Sequence, residues 1–567
     1  MGAQKGVSGL GWLALVTVTV SLFIQAADAD GQVSFQLAEV DRVGSFPDLY
    51  EASISELQKG LQNGEFSSVD LVQAYLARIE EVNMKGPALR AVIETNPSAL
   101  QQAAELDNER RTSGPRGLLH GIPILLKDNI ATLHSEGMNT TAGSYALLHS
   151  VVPRDAHVAA KLRDAGAVLL GKASMSEWSS ARGTFPSGFS ARIGQGSSPY
   201  VPLGNPCGSS SGSGVATAIG LAAAALGTET DGSIVCPSSF NNLVGVKPTV
   251  GLTSRKGVIP ISQHQDTVGP MARSVADAAI LLSIIAGPDP RDNYTLVQPP
   301  AVPNYTKALN ASALRGVRLG VPRRFFNYRN SLDEHIIAAF NSSLDTMRAL
   351  GATIVDPAEF VNHEELVVST NESIVIDVDL KHGLNKYISE LVHVPTGVKD
   401  LAGLIAFNEA HADLELVPPY WTSQSQFITS QNSSADQAYY DAIIANRELG
   451  GKHGIDATLH KYGLDALLLP TLVSSMPAAI AGYPIVMVPL GFLPPDTPLA
   501  PAEPTRISGP NQPFGIAFIG SAWTEFELIS YAYAYEQATH TRLKVRAFPE
   551  AVPTTQLADV VGGRFHT

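Results

Sequence analysis

His120-Gly-Ile-Pro-Ile-Leu-Leu-Lys-Asp128 is the stretch on which the reading of the fold turns. Its apolar run, Ile122 to Leu126, is bounded by a glycine and closed by two charges, which suits a short buried strand better than a helix. Such a strand would deliver Lys127 into an interior. Successive side chains alternate across a strand, so Asp128 is expected to face away from Lys127. His120, at the start of the run, reads as a structural residue. Upstream, Ile54, Leu57 and Leu61 keep helical spacing, as do Val69, Val72, Leu76 and Ile79, with Asn63-Gly64 breaking the two apart. They predict a helical pair over 54–82, and a third helix is predicted over 97–111. Downstream, a helix over 155–165 precedes a second buried strand, Ala167-Val-Leu-Leu-Gly171. Helices alternating with short apolar strands predict an α/β layer architecture.

The Gly-, Ser- and Pro-rich residues 180–214 are expected to be irregular. They lead into small apolar residues that predict a tightly packed helix over 215–226. A turn at 227–233 and a strand at Leu243–Val246 follow. Residues 286–312, rich in Pro and Asn, read as a surface connection, and 355–460 as helical segments of weaker pattern. Strands are predicted at Ala466–Leu469 and Ile485–Val488, and a closing helix over 524–539. With no internal repeat, the simplest organisation is one domain over 30–567. Its motif-bearing core would cover about 50–285 and 460–545, with a variable, substrate-facing region at about 286–460.

The chain is 567 residues long and 44% hydrophobic, enough for a large core, and only 16% charged against about 25% in typical soluble proteins. A formal net charge of −14 without a basic cluster argues against nucleic acid or an anionic membrane as partner. Lys5, the apolar run Leu10 to Ile24, and Ala27-Asp28-Ala29 follow the order of a secretory signal peptide over 1–29, too short in its apolar part for a membrane span. No stable membrane span is expected once it is removed; the alternative reading of the same segment is an uncleaved signal anchor. Seven sequons, at Asn139, Asn293, Asn304, Asn310, Asn341, Asn371 and Asn432, agree with a secreted, extracellular glycoprotein. The two cysteines, Cys207 and Cys236, read first as buried small hydrophobes, with a disulfide near the serine-rich segments as the alternative.

Two segments carry candidate chemistry. Gly208-Ser-Ser-Ser-Gly-Ser-Gly214 contains G-x-S-x-G centred on Ser210. That motif needs a strand–turn–helix elbow, and Pro202-Leu-Gly-Asn-Pro-Cys207 is a poor central strand because proline removes a ladder donor. Gly227-Thr-Glu-Thr-Asp-Gly-Ser233-Ile-Val packs glycines and hydroxyls into one turn, whose backbone N–H groups could converge on an anion. No H-E-x-x-H or zinc-spaced cysteine pair occurs, and the 14 histidines are scattered, so no metal or cofactor is expected.

These segments resemble the amidase signature hydrolases. The likeness runs in order through Gly121-Ile-Pro-Ile-Leu-Leu-Lys127-Asp, Gly171-Lys-Ala-Ser-Met-Ser-Glu177 and Pro206-Cys-Gly-Ser209-Ser-Ser-Gly-Ser. It continues through Gly227 to Pro237, Val244-Gly-Val-Lys-Pro-Thr, Gly269-Pro-Met-Ala-Arg273-Ser-Val-Ala-Asp277, Ala481-Gly-Tyr-Pro and Tyr535-Glu-Gln-Ala-Thr. The resemblance implies a central mixed β-sheet covered on both faces by α-helices. It also implies a Ser-Ser-Lys triad with Ser233 as nucleophile, Ser209 as proton relay after a cis peptide bond, and neutral Lys127 as base. The two serines stand 24 residues apart, as in the family. Backbone N–H groups of Thr230, Asp231, Gly232 and Ser233 would form the oxyanion hole, and Met175, near Trp178, would contact substrate.

Many family members have glycine at the position of Asp231, whose carboxylate is therefore expected to point away from the oxyanion. The Glu-Thr-Asp-Gly form resembles the peptide-amidase branch and implies C-terminal or small carboxamides as substrates. Three functions follow from the resemblance: a secreted amidase of linear amides acting through a Ser233 acyl-enzyme, an ammonia-generating amidotransferase-type subunit, or a non-catalytic secreted binding protein on the same fold. The signal peptide and sequons argue against the second, which requires intracellular partners, and the intact triad argues against the third.

Overall fold

Among the described residues thirteen strands form: β1 (Val92–Thr95), β2 (Pro123–Lys127), β3 (Val168–Ala173), β4 (Phe189–Ser190), β5 (Gly194–Gln195), β6 (Ala224–Glu229), β7 (Val244–Lys247), β8 (Thr267–Ala272), β9 (Arg318–Gly320), β10 (Thr353–Val355), β11 (Ala466–Pro470), β12 (Ile485–Phe492) and β13 (Pro513–Ile519). The computed structural model describes residues 46–328 and 332–562; the signal peptide read at 1–29 lies outside the described residues. Eleven strands form one sheet in the order β1-β3-β2-β6-β8-β7-β12-β13-β11-β9-β10, and β4 and β5 pair separately. β2 runs parallel to β3 and β6, and β9 parallel to β10 and β11. The other neighbours are antiparallel, so the sheet is mixed, as expected.

Every residue of β2, β3, β6, β7, β8, β11 and β13 is buried. A strand buried on both faces reads as a continuous apolar run rather than an alternating one, which is why the central strands were visible as short hydrophobic stretches. Helices supply the cover: Glu525–Thr539 packs on β12 and β13, and Val235–Phe240 on β7, β12 and β13. The predicted helical pair forms as Ile54–Asn63 and Ser68–Val82, each opened by a capping box, Ser53 with Glu56 and Ser67 with Asp70.

Three expectations are corrected. The helix predicted over 215–226 is instead a helix at Ser211–Ala218 followed by β6, so Gly227–Glu229 belongs to a strand and not to a turn. Small residues favour helix by propensity alone, but Gly220 (φ 67°) turns the chain where a Cβ would lie 2.0 Å from the Leu49 carbonyl oxygen. The Ala222–Ala225 run then enters the sheet between β2 and β8. Second, the region 286–460, expected to stand apart from the motif-bearing core, contributes β9 and β10 to the main sheet. Third, Cys207 and Cys236 are not free hydrophobes; they form a disulfide, the fold bringing their Cα atoms to 5.9 Å.

Candidate active site

The strand expected to deliver Lys127 does so at the carboxyl end of β2, beside the carboxyl end of its parallel neighbour β6. Ligands of open α/β sheets commonly bind at this edge. Lys127 is 0% exposed, and its Nζ lies 2.7 Å from Ser209 Oγ, 2.8 Å from Thr228 Oγ1 and 3.1 Å from the Thr228 carbonyl oxygen. Asn129 Nδ2 donates to the same Thr228 hydroxyl at 3.0 Å. Burial drives the Lys127 amine down to about 7, against an opposing pull from Asp266 and Glu229. Asp128 turns the other way, as alternation requires, and accepts from Thr141 Oγ1 at 2.6 Å and Gly143 N–H at 2.8 Å.

Ser209 is 1% exposed and follows a cis Gly208–Ser209 peptide bond. Its carbonyl accepts from Ser176 N–H at 3.0 Å. The next residue joins the two serine segments: Ser210 N–H donates to the Ser233 carbonyl at 3.2 Å, and the Cys207–Cys236 disulfide spans the same pair. Ser233 is half-buried, so it is accessible where Ser209 and Lys127 are sealed. Ser210 is committed elsewhere. Its Oγ donates to the Thr228 carbonyl at 3.1 Å and accepts Thr228 N–H at 3.2 Å, fully buried, which removes the elbow reading of G-x-S-x-G.

The turn carrying Ser233 departs from expectation at one group. Gly232 (φ 83°) adopts a left-handed conformation that suits glycine, but its N–H donates to Glu229 Oε1 at 3.0 Å. Of the four N–H groups expected to face an oxyanion, those of Thr230, Asp231 and Ser233 make no hydrogen bond to another described residue. Thr230 is held through its hydroxyl, 2.6 Å from Asp266 Oδ1. Asp231 is half-buried, and one of its carboxylate oxygens is enclosed without a partner. Ser475 closes the near side, its Oγ 3.4 Å from where a Gly232 Cβ would stand.

Met175 falls outside this constellation. It is fully buried in an apolar cluster with Trp178, Ile261, Leu384 and Phe427, the environment of a packing residue rather than of a substrate contact. His120 is structural: its Nε2 lies 2.9 Å from the Leu106 carbonyl. Sequence reasoning passed over Thr228, Asn129 and Glu229. Thr228 and Glu229 lie inside the quoted turn motif, and period-2 alternation from β6 would have separated their directions. Among the described residues no group of three or more His, Cys, Asp or Glu could hold a metal ion, and no helix is long and apolar enough to cross a membrane.

Comparison with known proteins agrees with this geometry. The family model described as Amidase matches residues 70–529. The chain is 42% identical over 526 residues to the "Putative amidase" of Arthroderma benhamiae, covering 88% of each protein. It is 41% identical over 509 residues to the "Probable amidase" of Arabidopsis thaliana, covering 88% of this chain and 92% of that one. The solved structure of native peptide amidase from Stenotrophomonas maltophilia superimposes with a TM-score of 0.77 at 42% identity, covering 89% of this chain and 99% of that one. The chain therefore belongs to the amidase signature family and is a hydrolase of carbon–nitrogen bonds in amides.

Proposed function

We propose that this amidase cleaves linear carboxamides through an acyl-enzyme on Ser233, with Ser209 as proton relay and neutral Lys127 as base. The observation that carries the reading is the 2.7 Å contact between a fully buried Lys127 Nζ and Ser209 Oγ. A neutral amine has two N–H groups and one lone pair. Thr228 offers two acceptors, its carbonyl and its hydroxyl, which leaves the lone pair for the Ser209 proton. Ser209 can then take the Ser233 proton as Ser233 Oγ attacks the amide carbon, and return it to the leaving nitrogen. The free N–H groups of Thr230, Asp231 and Ser233 supply donors for the oxyanion. Water then repeats the sequence on the acyl-enzyme and releases the acid.

Likeness to a peptide amidase supports peptide-type carboxamides as the substrate class. Export is part of the same proposal. It rests on the leader pattern at 1–29 and on sequons at Asn293, Asn304, Asn310, Asn341 and Asn432, all of them exposed. Asn139 is half-buried and its Nδ2 donates to Glu94 Oε2 at 3.0 Å, so it is the sequon least suited to carry a glycan.

The test is Ser233→Ala. A folded variant should lose amide turnover by about four orders of magnitude or more and lose covalent labelling by a fluorophosphonate. A folded Ser233→Ala protein with wild-type turnover would sink the proposal. Recovery of the chain from medium, beginning at Asp30, is the expected result for export; an intact leader on intracellular protein contradicts it.

A further inference from the structure

Glu229 is the last residue of β6 and is 1% exposed. Its carboxylate accepts three backbone N–H groups of the turn that follows: Gly232 at 3.0 Å on Oε1, Ile234 at 2.6 Å and Val235 at 2.9 Å on Oε2. The nucleophile candidate Ser233 lies between the first and second of these donors. The chain thus wraps around one carboxylate, spending the N–H groups on either side of Ser233 while leaving that of Ser233 itself uncommitted. A buried cation, Lys247, ends β7, with β8 between it and β6 in the sheet. Its Nζ is fixed by the carbonyls of Tyr483 at 2.7 Å and Pro248 at 3.2 Å. Burial holds the Glu229 carboxyl above its ordinary range, and Lys247 and the N–H groups of Val235 and Ile234 oppose that rise without cancelling it.

We propose that Glu229 is a positioning residue for the hydrolysis: its buried carboxylate, accepting the Gly232, Ile234 and Val235 N–H groups, sets the shape of the Ser233 turn and so aims the nucleophile and the Thr230, Asp231 and Ser233 N–H groups at the reacting carbonyl. This rests on the reading of Ser233 as nucleophile. A carboxylate is required because it offers acceptors only. A glutamine at this place would offer one acceptor oxygen and turn an NH2 donor toward an N–H. Charge-assisted bonds from N–H to carboxylate are also shorter and stronger than neutral ones. Because the effect is on geometry where charge develops, it should fall on the rate and not on substrate binding.

Purified full-length enzyme, Glu229→Gln and Glu229→Asp are compared by thermal melting, by the rate of fluorophosphonate labelling, and by kcat and KM on a peptide amide. In folded Glu229→Gln, labelling and kcat should both fall about a hundredfold with KM within about threefold of wild type. Glu229→Asp, which keeps the charge on a shorter arm, should recover about tenfold of that loss. Labelling and kcat within threefold of wild type in folded Glu229→Gln overturn the proposal, as does a loss confined to KM. If Glu229→Gln does not fold, the aspartate variant decides: reduced kcat and labelling at unchanged KM support the role, and wild-type values refute it. Failure of the wild-type enzyme to label at Ser233 is a different result, and it removes the underlying reading instead.

Discussion

Lys127 and Lys172 lie on adjacent strands of one sheet and are both fully buried, yet they are placed for different tasks. In the register of β2 and β3, Lys127 stands opposite Ala173 and Lys172 opposite Leu126, so the two amines leave opposite faces of the sheet. Burial lowers both, Lys127 to about 7 and Lys172 to about 8. The partners differ. Lys172 Nζ donates to the Ile130 carbonyl at 2.6 Å and Thr140 Oγ1 at 2.9 Å, and Asp128 and Glu94 act to keep it charged. Lys127 meets the hydroxyl of Ser209, the proposed relay to Ser233, and the carboxylates acting on it, Asp266 and Glu229, are engaged with other groups. Burial makes a lysine available as a base; what its lone pair faces decides whether it serves as one.

The largest expected effect breaks the comparison directly. Lys127→Met should reduce kcat by about four orders of magnitude with the fold retained, since it removes a buried amine whose neutral form carries no essential charge pairing. Lys172→Met should keep kcat within about tenfold of wild type. Its cost should appear as lost stability, about 3 kcal/mol, because Asp128 and Glu94 would lose a buried cation. Turnover rates and denaturant midpoints, measured on both variants, check this. Equal losses of activity at unchanged stability would show that the two lysines are not distinguished by their partners.

A second experiment asks whether the serine that distinguishes Lys127 must be strapped in place. The disulfide closes a loop of 29 residues that carries Ser209 near one end and Ser233 near the other. Removing it in a Cys207→Ser, Cys236→Ser double variant should cost about 3–4 kcal/mol of stability by loop-closure entropy. Chemical denaturation under non-reducing conditions measures the difference, and an unchanged midpoint contradicts it.

The lowered amine also sets a pH dependence. With Lys127 as the proposed base, its protonated form cannot accept the Ser209 proton, so activity is expected above its folded pKa and should be lost as pH falls through about 7. Below that point kcat/KM for an uncharged amide should drop about tenfold per pH unit. A profile flat from pH 5 to 8 would contradict Lys127 as base.

Parts of this arrangement were legible in the sequence because a single local signal defined them. An apolar run ending in charge identified β2 and its lysine, and the ordered motifs placed both serines. The alanine-rich stretch before Glu229 was not legible, since small residues suit a packed helix and a central strand equally well, and burial between β2 and β8 decides the matter. The disulfide was open for a similar reason, as its partners meet only after β6 and the Ser233 turn fold back. β9 and β10, three residues each, are too short for a periodic signal. Glu229 left no trace because its partners are backbone N–H groups of its own turn, which no side-chain pattern records.

The smallest effect gives the sharpest control on the comparison, because it concerns the hydroxyl next to the one Lys127 uses. Ser209 and Ser210 are adjacent, but only Ser209 meets the amine; Ser210 bridges the amide and carbonyl of Thr228, the residue that also holds Lys127. Ser210→Ala therefore leaves a buried N–H unpaired without touching the proposed proton path. It should cost about 1–2 kcal/mol of stability and, because Thr228 loses part of its anchorage, lower kcat by no more than about fivefold. Ser209→Ala breaks the path itself and should lower kcat by about a thousandfold or more. The ratio of the two losses, measured on one amide at pH 8, isolates what contact with Lys127 is worth. Comparable losses from the two substitutions would mean that the relay is not specific to Ser209, and that the G-x-S-x-G serine shares the chemistry.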